Sequence, residues 1–174
     1  MISRTLQKLT KRIQPRHLKV LANFWPPFRS MGITIEEMDA DYTFIKAKAK
    51  LSWKNANFHG AHFGGTLFAI ADPFLPFLYI QQMGKEYMVW DKSARIDFIK
   101  PGRGTIFADF SITVDEIREL KQRLQQEPSV AFEKEVKITD ASGVVVAKVT
   151  KEIYIRAKRS SQTTKRAVRR ESVC

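Results

Sequence analysis

Cysteine is nearly absent: the one thiol, Cys174, is the last residue of the 174. That excludes a disulfide framework and a cysteine-ligated metal site, and a reducing cytoplasm is the expected setting. Histidine is scarce too. His59 and His62 have a spacing that could suit a metal, but only His17 stands beside them, so no metal is expected. No long apolar run is present. The greasiest stretch, residues 67–80 (LFAIADPFLPFLYI), is too short to cross a bilayer and is interrupted by Asp72, Pro73 and Pro76. The N-terminus also lacks the uninterrupted apolar segment of a secretory signal. Acids are missing from the two ends. Residues 1–29 carry Arg4, Lys8, Lys11, Arg12, Arg16, Lys19 and Arg29 with no acid, a charge of +7. Residues 158–174 carry six basic residues against Glu171, a charge of +5, so these ends account for the whole formal +12. The middle is formally neutral, which argues against a nucleic-acid-binding domain.

What is present is a globular middle. The hydrophobic fraction, 44%, and the length suit one domain with a real core. Ile2, Leu6, Leu9 and Ile13 recur at helical spacing with basic residues on the other faces. Residues 2–13 are therefore expected as a cationic amphipathic helix, packed on the domain or resting on an anionic membrane surface. HLKVLANFW gives a second short helix, stopped by Pro26 and Pro27. From Gly32 the period changes to two. GITIEEMDA and YTFIKAKAKL read as strands around a turn at Ala40-Asp41, with lysines 46, 48 and 50 alternating against Ile45, Ala47 and Ala49. A polar loop over 52–62 leads into an apolar helix over about 64–82. Strands EYMVWDKSARIDFIK and TIFADFSITV follow, joined by PGRG. EIRELKQRLQQE reads as an exposed helical excursion, and VAFEKEVKITD with VVVAKVTKEIYIRAK closes the domain as a hairpin. The fold class is α+β: a curved antiparallel sheet of about six strands wrapped around one long central helix. Its boundaries are 1–31 for the N-terminal helical segment, 32–157 for the domain and 158–174 for a basic, disordered tail. An open sheet edge predicts pairing with a second copy.

NFHGAHFGGTLFAIADPF, residues 57–74, carries the chemistry. Glycines at a helix start let a ligand approach backbone N–H groups at the positive end of the helix dipole, a place suited to a developing oxyanion. Asp72 lies seven residues beyond Gly65, about two turns on, and so on a similar side of the helix. A carboxylate inside so apolar a helix is costly unless it is paired or working, so Asp72 is expected to be buried and poised as a general base. Glycine pairs also serve tight packing, and buried acids also cap kinks. Pro73 and Pro76 remove helical hydrogen bonds and should bend the helix near the acid.

This frame resembles the small acyl-CoA thioesterases of the hotdog superfamily. They carry Asn, five residues, His-Gly-Gly, and a catalytic Asp nine residues after that His. Here Asn57, Phe63-Gly64-Gly65 and Asp72 keep the frame without a gap, and the likeness continues through DKSARIDFIKPGRG and the final hairpin. FGG…ADP followed by VWDK looks like the uncharacterised branch of that superfamily, a domain of unknown function. The resemblance implies catalytic roles for Gly64 (oxyanion donor), Asp72 (base or nucleophile) and Asn57 (positioning water or thioester). It implies substrate contacts for Gly65, His62, Phe63, Phe68 and Trp90, and an apolar acyl chain among Phe68, Phe74, Phe77 and Leu78. The substrate would be an acyl-CoA or related thioester, with coenzyme A as part of the substrate and no other cofactor. The chain would work as a homodimer or a dimer of dimers, without nucleic acid and with at most weak membrane contact through its basic ends. Two departures stand out: Phe63 replaces the motif histidine, and Trp90 takes a strand position often held by serine or threonine. These favour the alternative, a non-catalytic acyl-CoA or lipid-binding homodimer.

Overall fold

The computed structural model describes residues 15–158. The helix expected over 2–13 and the tail beyond 158 lie outside them. Two short helices come first, α1 (Pro15–Asn23) and α2 (Pro26–Met31). Pro26 and Pro27 do more than end α1. They open α2, because the first turn of a helix has no use for their missing N–H groups. Gly32 closes α2 in the left-handed conformation (φ 68°) and turns the chain into β1 (Ile33–Met38).

Period-two alternation builds the sheet. In β2 (Phe44–Lys50), Ile45, Ala47 and Ala49 are buried, while Lys46 and Lys48 on the other face pair with Glu36 of β1. After the loop come α3 (Gly64–Ala71), α4 (Phe74–Met83), β3 (Tyr87–Phe98) and β4 (Thr105–Ser111). α5 (Val114–Gln126), β5 (Ser129–Asp140) and β6 (Val145–Ala157) complete the chain. The strand order is β1-β2-β4-β5-β6-β3, and every pairing is antiparallel. β3 is therefore an edge strand of 12 residues, paired on one side with β6. The central helix supplies Leu67, Ile70, Ala71, Leu75, Leu78 and Tyr79 to the core, against Ile45, Ile106, Ile138, Ile153 and Ile155 of the sheet. This sheet around a central helix is the hotdog fold.

The long central helix is interrupted where the prolines were expected to bend it: at Asp72-Pro73 it divides into α3 and α4, because Pro73 and Pro76 cannot return hydrogen bonds to the preceding turn. Two expectations need correction. α5 is no exposed excursion. It buries Ile117 and Leu120, and Tyr79 of α4 donates a hydrogen bond to Glu116. Phe74 and Leu78 belong to the core and are not free to line a ligand; Phe74 packs between Phe28 and Phe110 at 5.6 and 4.9 Å between ring centroids.

The loop before α3 is pinned by Asn55, which is buried. Its Oδ1 accepts from the Ser52 N–H at 2.7 Å, and its Nδ2 donates to the carbonyls of Met31 at 2.7 Å and Lys50 at 3.0 Å. One side chain thus ties α2, β2 and the loop together. Asn55→Ala would strand these groups, and is expected to lower the unfolding free energy by about 2–3 kcal/mol in urea titration. An unchanged midpoint would show that water replaces all three bonds.

Candidate functional site at the start and break of the central helix

The loop over 52–63 delivers its residues to the start of α3. Asn57 spends its amide on the loop itself: Oδ1 accepts from the N–H groups of His59 at 2.9 Å and Ala61 at 3.2 Å, and Nδ2 donates to the His62 carbonyl at 3.3 Å. These bonds shape the approach to the glycines and, among the described residues, use one of the two Nδ2 hydrogens. His62 is buried. Its N–H donates to Gly102 O at 2.8 Å, and its Nε2 lies 3.0 Å from Gly104 O, tying the loop to the turn between β3 and β4. Burial holds its pKa below the usual histidine value, opposed by the Gly104 carbonyl, and Nδ1 is buried without a partner among the described residues.

α3 begins without a side-chain cap. The Phe63 carbonyl accepts from Thr66 and Leu67, and among the described residues neither Gly64 nor Gly65 N–H has a partner. The glycines leave room for two aromatic rings. A Cβ on Gly65 would lie 2.2 Å from the Phe63 ring, and one on Gly64 would lie 3.0 Å from Phe98. Phe63, 55% exposed, covers the flank of Gly65. Trp90 is on the other side of the sheet. Its ring stacks on Tyr154 at 4.7 Å with Arg156 over it, so it lines neither of the clefts described next. Strand alternation makes its neighbour, Asp91, the residue that points toward the helix.

Two clefts flank α3. The first, about 500 Å³, lies between α2, with Trp25 just before it, and the central helix. Trp25, Pro27, Phe28 and Met31 form one wall; Gly65, Phe68, Ala69, Asp72 and Pro73 form the other. The second, about 430 Å³, is lined by Asn57, His59, His62, Gly64, Leu67, Phe98 and the turn from Ile99 to Gly102. Gly65 and Asp72 therefore share a face, as their seven-residue spacing requires, while Gly64 opens on a different one. Asp72 is not buried as expected: its side chain is 62% exposed, because the helix ends at this residue and turns it to the surface.

The partner of Asp72 was not singled out by the sequence. Lys151 of β6, only 1% exposed, places Nζ 2.6 Å from Oδ2 of Asp91 and 3.8 Å from Oδ1 of Asp72. The same ammonium donates to the carbonyls of Ala71, at 3.3 Å, and Asp72. Burial raises the pKa of Asp91, the Lys151 ammonium pulls it back down, and its Oδ1 is buried without a partner among the described residues. The available signal was a lysine in the apolar row Val145, Ala147, Val149, Lys151, Ile153. The register sets Asp91 opposite Ile153 and Lys151 opposite Ala94, so the pair forms diagonally across an irregularity in β3 that the sequence does not announce.

The family model described as "Domain of unknown function (DUF4442)" matches residues 15–155. Solved structures match in fold. One is a protein of unknown function from Pseudomonas aeruginosa, described as a probable thioesterase; it is 21% identical, covers 83% of this chain and 97% of its own, and has a TM-score of 0.72. A thioesterase from Haemophilus influenzae is 12% identical, with coverage of 86% and 94% and a TM-score of 0.63. A hypothetical thioesterase from Streptococcus pneumoniae, solved with coenzyme A, is 19% identical, with coverage of 74% and 88% and a TM-score of 0.51. No curated protein matches the chain.

Proposed function

The chain belongs to the DUF4442 family of domains of unknown function, and on that premise we propose that it is a thioesterase-like hydrolase of acyl thioesters, working as a homodimer. One observation carries the reading: unpartnered N–H groups open α3, and an exposed acid ends it beside an apolar cleft. The first group suits a developing oxyanion and the second suits a base or nucleophile. The acyl chain would lie against Phe68, Trp25 and Met31, the thioester would be part of a coenzyme A conjugate, and no further cofactor is required.

Helix geometry supports two subunits. Gly64 and Asp72 are eight residues apart, about 12 Å along the axis, so one carbonyl cannot touch both in the same copy. A second copy, related by a two-fold axis at the β3 edge, would bring the acid of one chain to the glycine of the other. The thioester oxygen then accepts the Gly64 N–H while Asp72 of the other copy takes a proton from the attacking water, or attacks the carbon itself. In the first route the water oxygen bonds to the carbon, the carbon–sulfur bond breaks, and Asp72 returns the proton to the departing thiolate, leaving the free acid. In the second, the carbon–sulfur bond breaks to give a mixed anhydride on Asp72, and water then hydrolyses it, supplying one proton to the thiolate and releasing the acid.

Gly64→Pro tests this arrangement. It deletes the donor at a first-turn position, and the extended backbone of Phe63 (φ −58°, ψ 135°) suits a residue before proline. The added Cβ meets only the outer end of the ring of Phe98, which is 59% exposed and has room to swing away. Thermal unfolding checks that the variant is folded. Hydrolysis of an acyl-CoA panel should fall about 100-fold or more. Mixing this variant with Asp72→Asn should restore about a quarter of native activity, because half of the dimers then hold one intact site of two. No recovery after subunit exchange would sink the shared site.

The second reading, a non-catalytic binder of acyl-CoA or lipid, is favoured by the Asn57 oxygen accepting two loop N–H groups and by Phe63 over Gly65. Binding of acyl-CoA without any release of thiol would establish it. Among the described residues no helix is long and apolar enough to cross a membrane. The acid-free segment 1–29, with Val20, Leu21 and Phe24 exposed on and just after α1, supports weak contact with an anionic surface. Deleting residues 1–14 should reduce co-sedimentation with anionic vesicles; undiminished binding would remove that role from the segment.

A further inference from the structure

Lys151 has no part in the chemistry proposed above, yet an ammonium buried among Val149, Ile153 and the central helix is costly unless every proton is used. Here every proton is used. Nζ has three acceptors: Asp91 Oδ2 from β3, the Ala71 carbonyl and the Asp72 carbonyl. The reason one of those carbonyls needs a donor lies in the sequence. In a continuous helix the Asp72 carbonyl would be met by the N–H of residue 76, and residue 76 is proline. Pro73 removes a second N–H at the same turn. Asp72 therefore stands at the least supported point of the central helix, where its own backbone cannot hold it in place.

We propose that Lys151, anchored by Asp91, is a positioning residue for Asp72. The ammonium replaces the missing helical N–H, clamps the break to β6 and fixes the direction in which the Asp72 carboxylate leaves the helix. Its 3.8 Å approach to Asp72 Oδ1 adds attraction from the same side. The unpartnered Asp91 Oδ1 fits this assignment: that carboxylate is placed to hold Lys151 at the break even with one of its own oxygens unpaired. This inference rests on Asp72 being the reacting acid.

The test is the double variant Lys151→Met with Asp91→Asn, which removes both charges together and so avoids leaving a lone buried carboxylate. Amide hydrogen exchange over residues 70–77 is expected to accelerate about tenfold or more while α5 is unchanged. For an acyl-CoA substrate, kcat is expected to fall about 100-fold, the cost of a small misplacement, with KM nearly unchanged. Asp72→Asn serves as the control. A folded double variant with native exchange at the break, or with native kcat while Asp72→Asn is inactive, overturns the positioning role and leaves the thioesterase reading standing. Full turnover by Asp72→Asn instead overturns the assignment of the acid itself, and the positioning role with it.

Discussion

Asp72→Asn is expected to lower kcat for acyl-CoA hydrolysis by about 1,000-fold or more, with the melting temperature almost unchanged. The two halves of that expectation have separate grounds. The loss follows because the amide can neither take a proton from water nor attack a carbonyl. Stability is spared because the side chain is 62% exposed and its 3.8 Å contact with Lys151 is weak beside the backbone contacts, which asparagine keeps. Thiol release measured with a chromogenic trap, next to thermal unfolding of the same preparation, separates the two. Retained turnover in a folded variant would overturn the assignment of the acid, whereas a native chain that binds acyl-CoA and releases no thiol would move the protein to the binding reading.

Lys151→Met alone is expected to cost about 3 kcal/mol or more of unfolding free energy, because it strands a half-buried carboxylate. Adding Asp91→Asn should recover a large part of that loss, since the second change removes the unpaired charge. The loss should also depend on pH. Burial already raises the pKa of Asp91 in the native chain, and removing the ammonium takes away the influence that lowers it. The folded single variant then binds the Asp91 proton more tightly than the unfolded chain does. Stability falls as pH rises through that window, so the loss should be smaller at about pH 4 than at pH 7. Urea titrations at both pH values check this. A loss that is the same at both, and is not relieved by the second substitution, would mean that Lys151 contributes by packing its stem and not by pairing.

The strands were legible because alternation is a local signal. Ile45, Ala47 and Ala49 against Lys46 and Lys48 announce one covered face, and the structure pairs them as that pattern requires. The frame from Asn57 to Asp72 was equally plain, since its spacing is written in the chain. Three features were not, for one common reason: each depends on what another part of the chain does. Asp72 looked buried because its sequence neighbours are apolar, yet the helix ends there and turns it outward. Phe74 and Leu78 looked available to a ligand, but Phe28 from α2 and Phe110 from β4 claim the space around Phe74, and Leu78 is fully buried. Lys151 looked like one polar interruption in an apolar strand. Its meaning comes from a proline 75 positions earlier in the sequence, whose missing N–H it replaces.

One wall of the 500 Å³ cleft comes from the central helix and the other from α2 and Trp25, ahead of the sheet. The chemistry and the measuring device are thus carried by different stretches of chain. Exchange of Trp25 or Met31 for smaller side chains would lengthen the ruler without moving Gly64 or Asp72. On the proposed reading, which acyl groups are accepted would be set by substitutions between Trp25 and Met31, while the groups proposed to react stay where the helix and sheet hold them.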